Sequence, residues 1–197
     1  MSLVNERAYS YFENLKQHID LSFLNNKQQS DLKAVLGLSD FINDALLRSP
    51  ELLTALFAGD LLESEQRTLQ IKAELEDILS GIDNEPALHK ALRLFRRKHM
   101  LVIAWRELLG KARLEESFEH ISYLAEQLIL QCMNWLYDRQ CSEQGTPKNT
   151  EGVRQPLYIF AMGKLGGREL NFSSDIDLIF TYPERGQTEG KIGRAHV

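Results

Sequence analysis

The spacing of apolar residues changes near residue 157. Before that point, apolar positions recur every three or four residues, which predicts a succession of amphipathic helices over residues 1–145. The last of these helices has the most regular stripe, which favours packing within an intramolecular bundle over the alternative of a coiled coil. The stripe consists of Leu114, Phe118, Ile121, Ala125, Leu128, Cys132 and Trp135.

Capping residues predict where several of these helices begin and end. Ser49 and Pro50 are typical of a helix start, and Gly59 is typical of its end. A further helix is predicted over residues 64–79, and a long one from residue 87 to about residue 110. Residues 141–156 contain Gly, Pro, Ser, Thr and Asn without an apolar period, which predicts a loop and a domain boundary.

Beyond that loop the pattern is typical of strands. The run "LYIFAM" is short and wholly apolar, as in a buried strand. The run "SSDIDLIFTY" predicts a second strand, on which Asp175 and Asp177 share one face because strand side chains alternate. We therefore divide the chain into a helical segment (1–145), a linker (146–156) and the beginning of a second domain (157–190).

The last residues, 191–197, are expected to be a non-native tail. They contain "IGRAHV", which matches what one reading frame of a common sequencing-library adapter encodes. Such segments are set aside when a fold is predicted.

Composition narrows the classes of function. The 197 residues carry a net charge of −5, which argues against a nucleic-acid binder because such proteins need surplus Lys and Arg. No signal peptide or membrane-spanning run is apparent, so we expect a cytoplasmic protein without a membrane partner. Cys132 and Cys141 lack the spacing of a zinc site and are expected to be free thiols.

One basic cluster interrupts the helical segment, at Arg96, Arg97, Lys98 and His99. It has two interpretations. It contacts a phosphate or an acidic partner, or it is the solvated face of a helix whose opposite side is apolar. The second interpretation is favoured because charge runs on amphipathic helices usually face water.

The sequence around Lys164 excludes two familiar nucleotide motifs. A P-loop needs glycine where Tyr158 stands and a hydroxyl residue where Leu165 follows Lys164. The glycines at 163, 166 and 167 also have the wrong spacing for a dinucleotide-binding fingerprint.

What remains is a strand, a glycine turn and two closely spaced carboxylates. Asp175 and Asp177 would lie about 7 Å apart on one strand face, where they repel each other. Mg²⁺ prefers such oxygen ligands and leaves other positions for water and phosphate oxygens. Glycines at the preceding turn would let backbone N–H groups approach a phosphate. The pattern therefore indicates metal-dependent phosphoryl or nucleotidyl transfer, with an exposed and inert Asp pair as the alternative.

The stretch "MGKLGGRELNFSSDIDLIF" resembles the signature of the glutamine synthetase adenylyltransferase/adenylyl-removing family. The segments "LSDFINDALLRSPELL", "LRLFRRKHMLVIAW", "ISYLAEQLILQCMNWLYD" and "GTPKNTEG" resemble the N-terminal region of that family in the same order. The resemblance covers roughly residues 1–190.

This resemblance implies an α+β fold, in which a helical segment precedes the start of a nucleotidyltransferase domain like that of DNA polymerase beta, with its sheet cut short. It implies an adenylyl-removing activity in which phosphate attacks AMP on a tyrosine of glutamine synthetase and releases ADP. A second activity of the parent protein would attach AMP from ATP. Glutamine and the PII signalling protein would control the balance between the two.

The resemblance also implies site residues. Asp175 and Asp177 match the metal-binding aspartates, so Mg²⁺ is the expected cofactor. The positions expected near substrate phosphates are Gly166, Gly167, Ser173, Ser174 and Lys164, with a solvent-exposed Lys164 as the alternative for that residue. Seven residues separate Gly167 from Asp175, which is tighter than is usual in the wider superfamily.

The family site uses a third carboxylate on a later strand. Glu184 and Glu189 lie in the loop after the predicted strand and are poor substitutes. We therefore expect the parent protein to be an enzyme and this chain alone to be inactive. The alternatives are a nucleotidyltransferase that acts on nucleic acid and a non-catalytic module that docks a protein partner.

Overall fold

The computed structural model describes residues 3–57, 60–63 and 67–188. Helices dominate the part before Gly145, and a short 3-10 turn, Asp60–Leu62, follows the fourth of them. These helices are α1 (Leu3–Lys16), α2 (Asn26–Leu38), α3 (Asp40–Arg48), α4 (Glu51–Phe57), α5 (Arg67–Ser80), α6 (Glu85–Leu108) and α7 (Leu114–Gln144). They are followed by β1 (Tyr158–Ala161), α8 (Gly163–Gly166) and β2 (Leu178–Thr181). The fold is therefore α+β, mostly helical with a two-stranded sheet among the described residues.

Most predicted helices are confirmed, with shifted ends. α6 starts two residues early because Asn84 caps it, its Oδ1 accepting a hydrogen bond from the N–H of Ala87 at 2.9 Å. α7 extends through Gln144, so the predicted loop starts too early, and Gly145 ends the helix at φ 90°. Gly59 and Ser64, where helix ends were predicted, lie outside the described residues.

The core consists of two hydrophobic clusters that share α6. One cluster packs α1–α4 against α6 and includes the fully buried Trp105. The other packs α5, α6 and α7 together and extends to Leu165 and Leu170 beyond the helical segment. Ile121 and Ala125 from the predicted stripe are buried in this second cluster. The intramolecular bundle is thereby confirmed. None of the described helices has the length and apolar character that crossing a bilayer requires.

The sheet is an antiparallel pair in which Ile159 faces Phe180 and Ala161 faces Leu178. Ala161 and Leu178 pack against the second cluster, on the side of α7. The opposite face carries Tyr158, Phe160 and Ile179, each at least half exposed. The prediction of a buried strand is therefore wrong for β1, because only one face of this sheet is covered.

Residues 146–156 fold back against the loop that follows β2. The backbones of Lys148 and Gln187 exchange hydrogen bonds of 2.9 and 2.8 Å. Arg154 pairs with Asp138 of α7 at 2.7 Å and lies over the ring of Tyr137. The segment between the helices and the sheet is therefore held to both.

Candidate functional site

The loop that leads to the two aspartates is anchored on α7. The N–H of Leu170 donates to the Oγ of Ser122 at 3.0 Å, and both residues are buried. Arg168, at φ 57°, lies 3.3 Å from Glu126 on the same helix. Nothing in the sequence pattern marked Ser122, because its role depends on a contact 48 residues away.

A turn built on Asn171 holds the two serines. Oδ1 of Asn171 accepts hydrogen bonds from the hydroxyl of Ser174 at 2.7 Å and from the N–H of Ser173 at 3.2 Å. The N–H of Asn171 in turn donates to the Oγ of Ser174 at 3.1 Å. This side-chain turn sets the direction in which the chain enters residues 175–177.

Asp175 and Asp177 lie just before β2, not within it. The prediction of a strand that already includes both is wrong at its start, because β2 begins at Leu178. The ladder continues by one bond, from the N–H of Met162 to the carbonyl of Asp177 at 3.0 Å. Both aspartates are exposed, and neither carboxylate forms an ion pair or a side-chain hydrogen bond within the described part of the chain.

The hydrogen bond from Met162 to the carbonyl of Asp177 places the start of the glycine turn beside that aspartate. Gly163 has a φ of 56°, in the left-handed region that favours glycine. Gly166 passes so close to β1 that an added Cβ would lie 2.5 Å from the carbonyl oxygen of Ala161. The structure therefore gives Gly166 a packing role, whereas Gly167 has ordinary space around it.

The N–H groups of these two glycines are already used within the turn. Gly166 donates to the carbonyl of Met162 at 3.3 Å and Gly167 to that of Gly163 at 3.0 Å. Phosphate binding by Gly166 and Gly167 stays a prediction. Lys164 is exposed, and its ammonium group has no hydrogen-bond or ion-pair partner among the described residues.

The described residues contain no group of three or more His, Cys, Asp or Glu side chains placed to hold a metal ion. Glu184 accepts a hydrogen bond from Asn149 at 2.6 Å and is engaged away from the aspartates. Glu189 lies outside the described residues. Among the described residues, the carboxylates available just before β2 are thus those of Asp175 and Asp177. Mg²⁺ is usually bound by one or two carboxylates together with water and phosphate oxygens.

The four residues of the basic cluster, 96–99, lie in three different environments. Neither the anion-contact interpretation nor the solvated-face interpretation therefore fits all four. Arg97 donates to the Oγ of Ser49 at 2.6 Å. Lys98 and the buried His99 both contact Glu74 of α5. Hydrogen bonds from His99 and then from Lys98 lower the pKa of Glu74 to about 2, against the opposing effect of its partial burial.

Arg96 is the exception in this cluster. It is exposed and lines a cavity of about 390 Å³ together with Phe172 and Ser173 of the aspartate loop. The sequence marked Arg96 only as one of four basic residues. Its position next to the aspartate loop depends on the tertiary packing of α6.

Comparison with known proteins gives a consistent result. The family model of glutamate-ammonia ligase adenylyltransferase matches residues 29–196. That range includes residues 191–196 of the predicted non-native tail, which stays a prediction. A bifunctional glutamine synthetase adenylyltransferase/adenylyl-removing enzyme from Psychromonas ingrahamii is 62% identical over 97% of this chain and 20% of its own length.

Relatives with the same description occur in Shewanella. The protein of Shewanella oneidensis is 50% identical over 86% of this chain and 18% of its own length. That of Shewanella woodyi is 43% identical over 96% of this chain and 20% of its own length. The chain thus spans about a fifth of the length of the curated relatives that it matches.

Proposed function

The chain belongs to the glutamate-ammonia ligase adenylyltransferase family, and on that premise we propose that it forms part of a site that removes AMP from adenylylated glutamine synthetase. The reaction is a phosphorolysis. An oxygen of inorganic phosphate forms a bond to the phosphorus of AMP, and the bond from that phosphorus to the tyrosine oxygen breaks. The products are ADP and a tyrosine that takes up a proton.

One observation carries the proposal. Asp175 and Asp177 lie one residue apart at the start of β2, exposed and without a cationic partner in the described part of the chain. Two unpaired carboxylates contribute nothing evident to stability, since like charges this close repel each other. Their donor set fits Mg²⁺, which would offset the charge on the phosphate groups when bound.

The surrounding residues would position these carboxylates. The Asn171 turn and the anchor on Ser122 fix the entry to residues 175–177. Gly166 lets the turn after β1 close against the strand. We propose that Lys164 contributes a direct contact to a substrate phosphate. Gly167, Ser173 and Ser174 would line the same approach, where their N–H and hydroxyl donors, now bonded within the turns, would exchange those partners for a phosphate oxygen.

The full-length parent protein would contribute the remainder of the domain and of the site. We propose that the sheet is the beginning of a nucleotidyltransferase domain like that of DNA polymerase beta, and that a later strand supplies a third carboxylate. The parent would also attach AMP from ATP, respond to glutamine and the PII signalling protein, and work in the cytoplasm. The order strand, glycine turn, aspartate pair, strand supports the proposed fold.

The test is release of ADP from adenylylated glutamine synthetase by the full-length parent with phosphate and Mg²⁺. Replacing Asp175 or Asp177 with Asn is expected to abolish release while transfer of AMP from ATP continues. Unchanged release from both variants would instead identify the aspartate loop as inert, as in a docking module. The 197-residue chain alone is expected to release no ADP.

A further inference from the structure

The cavity beside the aspartate loop joins the helical segment to the candidate site. Its floor is a stripe of residues four apart on α6, and its walls come from the α2–α3 junction and from the loop before Asp175. We call it the α6 groove. The residues that define it are Arg96, Met100, Ala104 and Leu108 on the floor, with Phe41 and Phe172 on the walls. Its volume of about 390 Å³ falls in the range of small-molecule sites.

A cation lies at one end of the groove. Arg96 is exposed, and its guanidinium forms no hydrogen bond or ion pair with any described residue. Its three neighbours in the basic cluster all have partners, Arg97 on Ser49 and both Lys98 and His99 on Glu74. Arg96 is therefore free to bind an anion, and a guanidinium pairs well with phosphate oxygens.

A carboxylate lies towards the other end. Oε2 of Glu107 is buried and has no hydrogen-bond partner within the described residues. Glu107 lies eleven positions after Arg96, which is close to three helical turns and about 16 Å along α6. The two groups thus lie on one side of α6, too far apart to pair with each other. A buried acceptor without a donor costs free energy. Glu107 lines the groove, so rotation of its carboxylate into the groove would let a ligand N–H group recover that free energy.

Between these ends the groove is mainly apolar. The rings of Phe41 and Phe172 contact each other with centroids 6.3 Å apart and form an aromatic wall. Aromatic side chains favour planar rings, including nucleobases. Ser173, which also lines the groove, lies two residues before Asp175. A ligand in the groove would therefore lie close to the proposed metal site.

We propose that the α6 groove binds an adenine nucleotide, with Arg96 contacting its phosphate and Glu107 accepting a hydrogen bond from its amino group. A phosphate, a planar ring and an exocyclic amine are the three features that the groove matches. The choice of adenine rests on the proposed function, in which an adenylyl group is transferred. The helical segment would then be part of the site and not only its support.

The test is calorimetric titration of the 197-residue chain with AMP, inosine monophosphate, adenosine and inorganic phosphate, without Mg²⁺. AMP is expected to bind about tenfold more tightly than inosine monophosphate, which lacks the amino group that Glu107 would accept from. Equal affinity for the two nucleotides, or tighter binding of inorganic phosphate than of AMP, would overturn the proposal. So would the absence of AMP binding.

Three variants separate the two ends of the groove. Arg96→Gln is expected to weaken AMP about tenfold and to leave adenosine unchanged. Glu107→Gln should remove the preference for AMP over inosine monophosphate. Arg93→Gln is the matched control, since Arg93 is an exposed arginine on the same helix outside the groove. If Arg93→Gln weakens AMP binding as much as Arg96→Gln does, the loss would come from the change in net charge and not from a specific contact, and the proposed site would be refuted.

The inference and the proposed function can fail separately. If Asp175→Asn abolishes ADP release in the parent but Arg96→Gln leaves AMP affinity unchanged, the groove is refuted and the function stands. If the groove variants lose AMP as expected but the aspartate variants keep full activity, the groove stands and the function is refuted.

Discussion

The helical bundle and the hairpin region use their apolar residues in opposite ways. In the bundle, large side chains such as Trp105, Leu32 and Leu46 are fully buried. In the hairpin, Phe160 is 57% exposed and Ile179 is 51% exposed on a face that no described residue covers. Burial of apolar surface is the main source of folding free energy, so the bundle holds most of the stability of this chain.

The difference shows how the candidate site is supported. The residues proposed to carry the chemistry lie in the region that gains least from burial. They are held through a few contacts with α7, among them the buried Leu165 and Leu170 and the hydrogen bond from Leu170 to Ser122. The hairpin can therefore be weakened without unfolding the bundle. Unfolding of the bundle, in contrast, would also release the hairpin.

The largest effect is expected from Trp105→Ala in the bundle. Trp105 is fully buried and packs edge-on against Phe57 with centroids 5.6 Å apart, so its loss leaves a cavity. We expect the free energy of unfolding to fall by about 3–5 kcal/mol. Urea denaturation followed by circular dichroism at the helix bands measures it.

Phe160→Ala is the matched change in the hairpin. Its side chain is mostly exposed, so we expect a change within about 0.5 kcal/mol in the same experiment. Equal losses from the two variants would remove the contrast between the regions.

The second largest effect is expected from Gly166→Ala, and it should be local. The new Cβ would lie 2.5 Å from a backbone carbonyl of β1, so strand and turn must move apart. We expect a loss of about 1–3 kcal/mol, seen as faster hydrogen exchange at the amides of β1 and β2. Amides of α1 and α2 should keep their exchange rates.

Gly167→Ala is the control for this change. Gly167 has a φ of −83°, and an added Cβ would meet nothing closer than 3.7 Å. We expect hydrogen-exchange rates at β1 to stay as in the unsubstituted 197-residue chain. Faster exchange in both variants would show that the turn needs glycine for its flexibility and not for the close approach to Ala161.

Whether a structural feature can be predicted from the sequence depends on whether neighbouring residues alone determine it. The bundle and the stripe of α7 follow from periodicity, which is a property of neighbouring residues. The exposure of β1 could not be predicted, because an apolar run does not reveal how many layers cover it. The Asn84 cap is a local feature, because Asn followed by Glu-Pro is typical of a helix start, and it places the start of α6 two residues before the predicted one.

The candidate site divides in the same way. Asp175 and Asp177 stand out by their spacing alone. The packing role of Gly166 and the position of Arg96 depend on contacts with distant residues, Ala161 for the one and the Phe172 loop for the other. Local pattern therefore located the aspartates but not the groove beside them.

A smaller effect is expected at the ionic contact between α5 and α6. The pKa of Glu74 is about 2 in the folded chain, below its ordinary value of 4.5, because His99 and Lys98 donate to its carboxylate. A lowered pKa means that the contribution to stability is present above about pH 4.5 and is lost as the pH falls towards 2. We expect Glu74→Gln to cost about 1–2 kcal/mol at pH 7, since the carboxylate is partly exposed.

The difference in the free energy of unfolding between the unsubstituted chain and Glu74→Gln should shrink as the pH is lowered from 6 to 3. Urea denaturation at each pH measures it. Glu13→Gln is the control, because Glu13 pairs with Lys16 at 3.0 Å on an exposed surface. We expect that control to stay within about 0.5 kcal/mol throughout. A difference for Glu74→Gln that does not change with pH would show that the contact acts through packing and not through charge.

The smallest effect on stability is expected from Ile179→Thr, which lies on the uncovered face of the sheet. Ile179 faces Phe160 across the strands, and threonine keeps the β-branched shape that suits a strand. We expect the free energy of unfolding to change by less than about 0.5 kcal/mol. Because the patch of Tyr158, Phe160 and Ile179 is apolar and open, the variant should bind less of a hydrophobic dye and self-associate less in sedimentation experiments. Dye binding that stays at the parental level would show that another surface, such as the apolar groove between α7 and β2, dominates the exposed hydrophobic area.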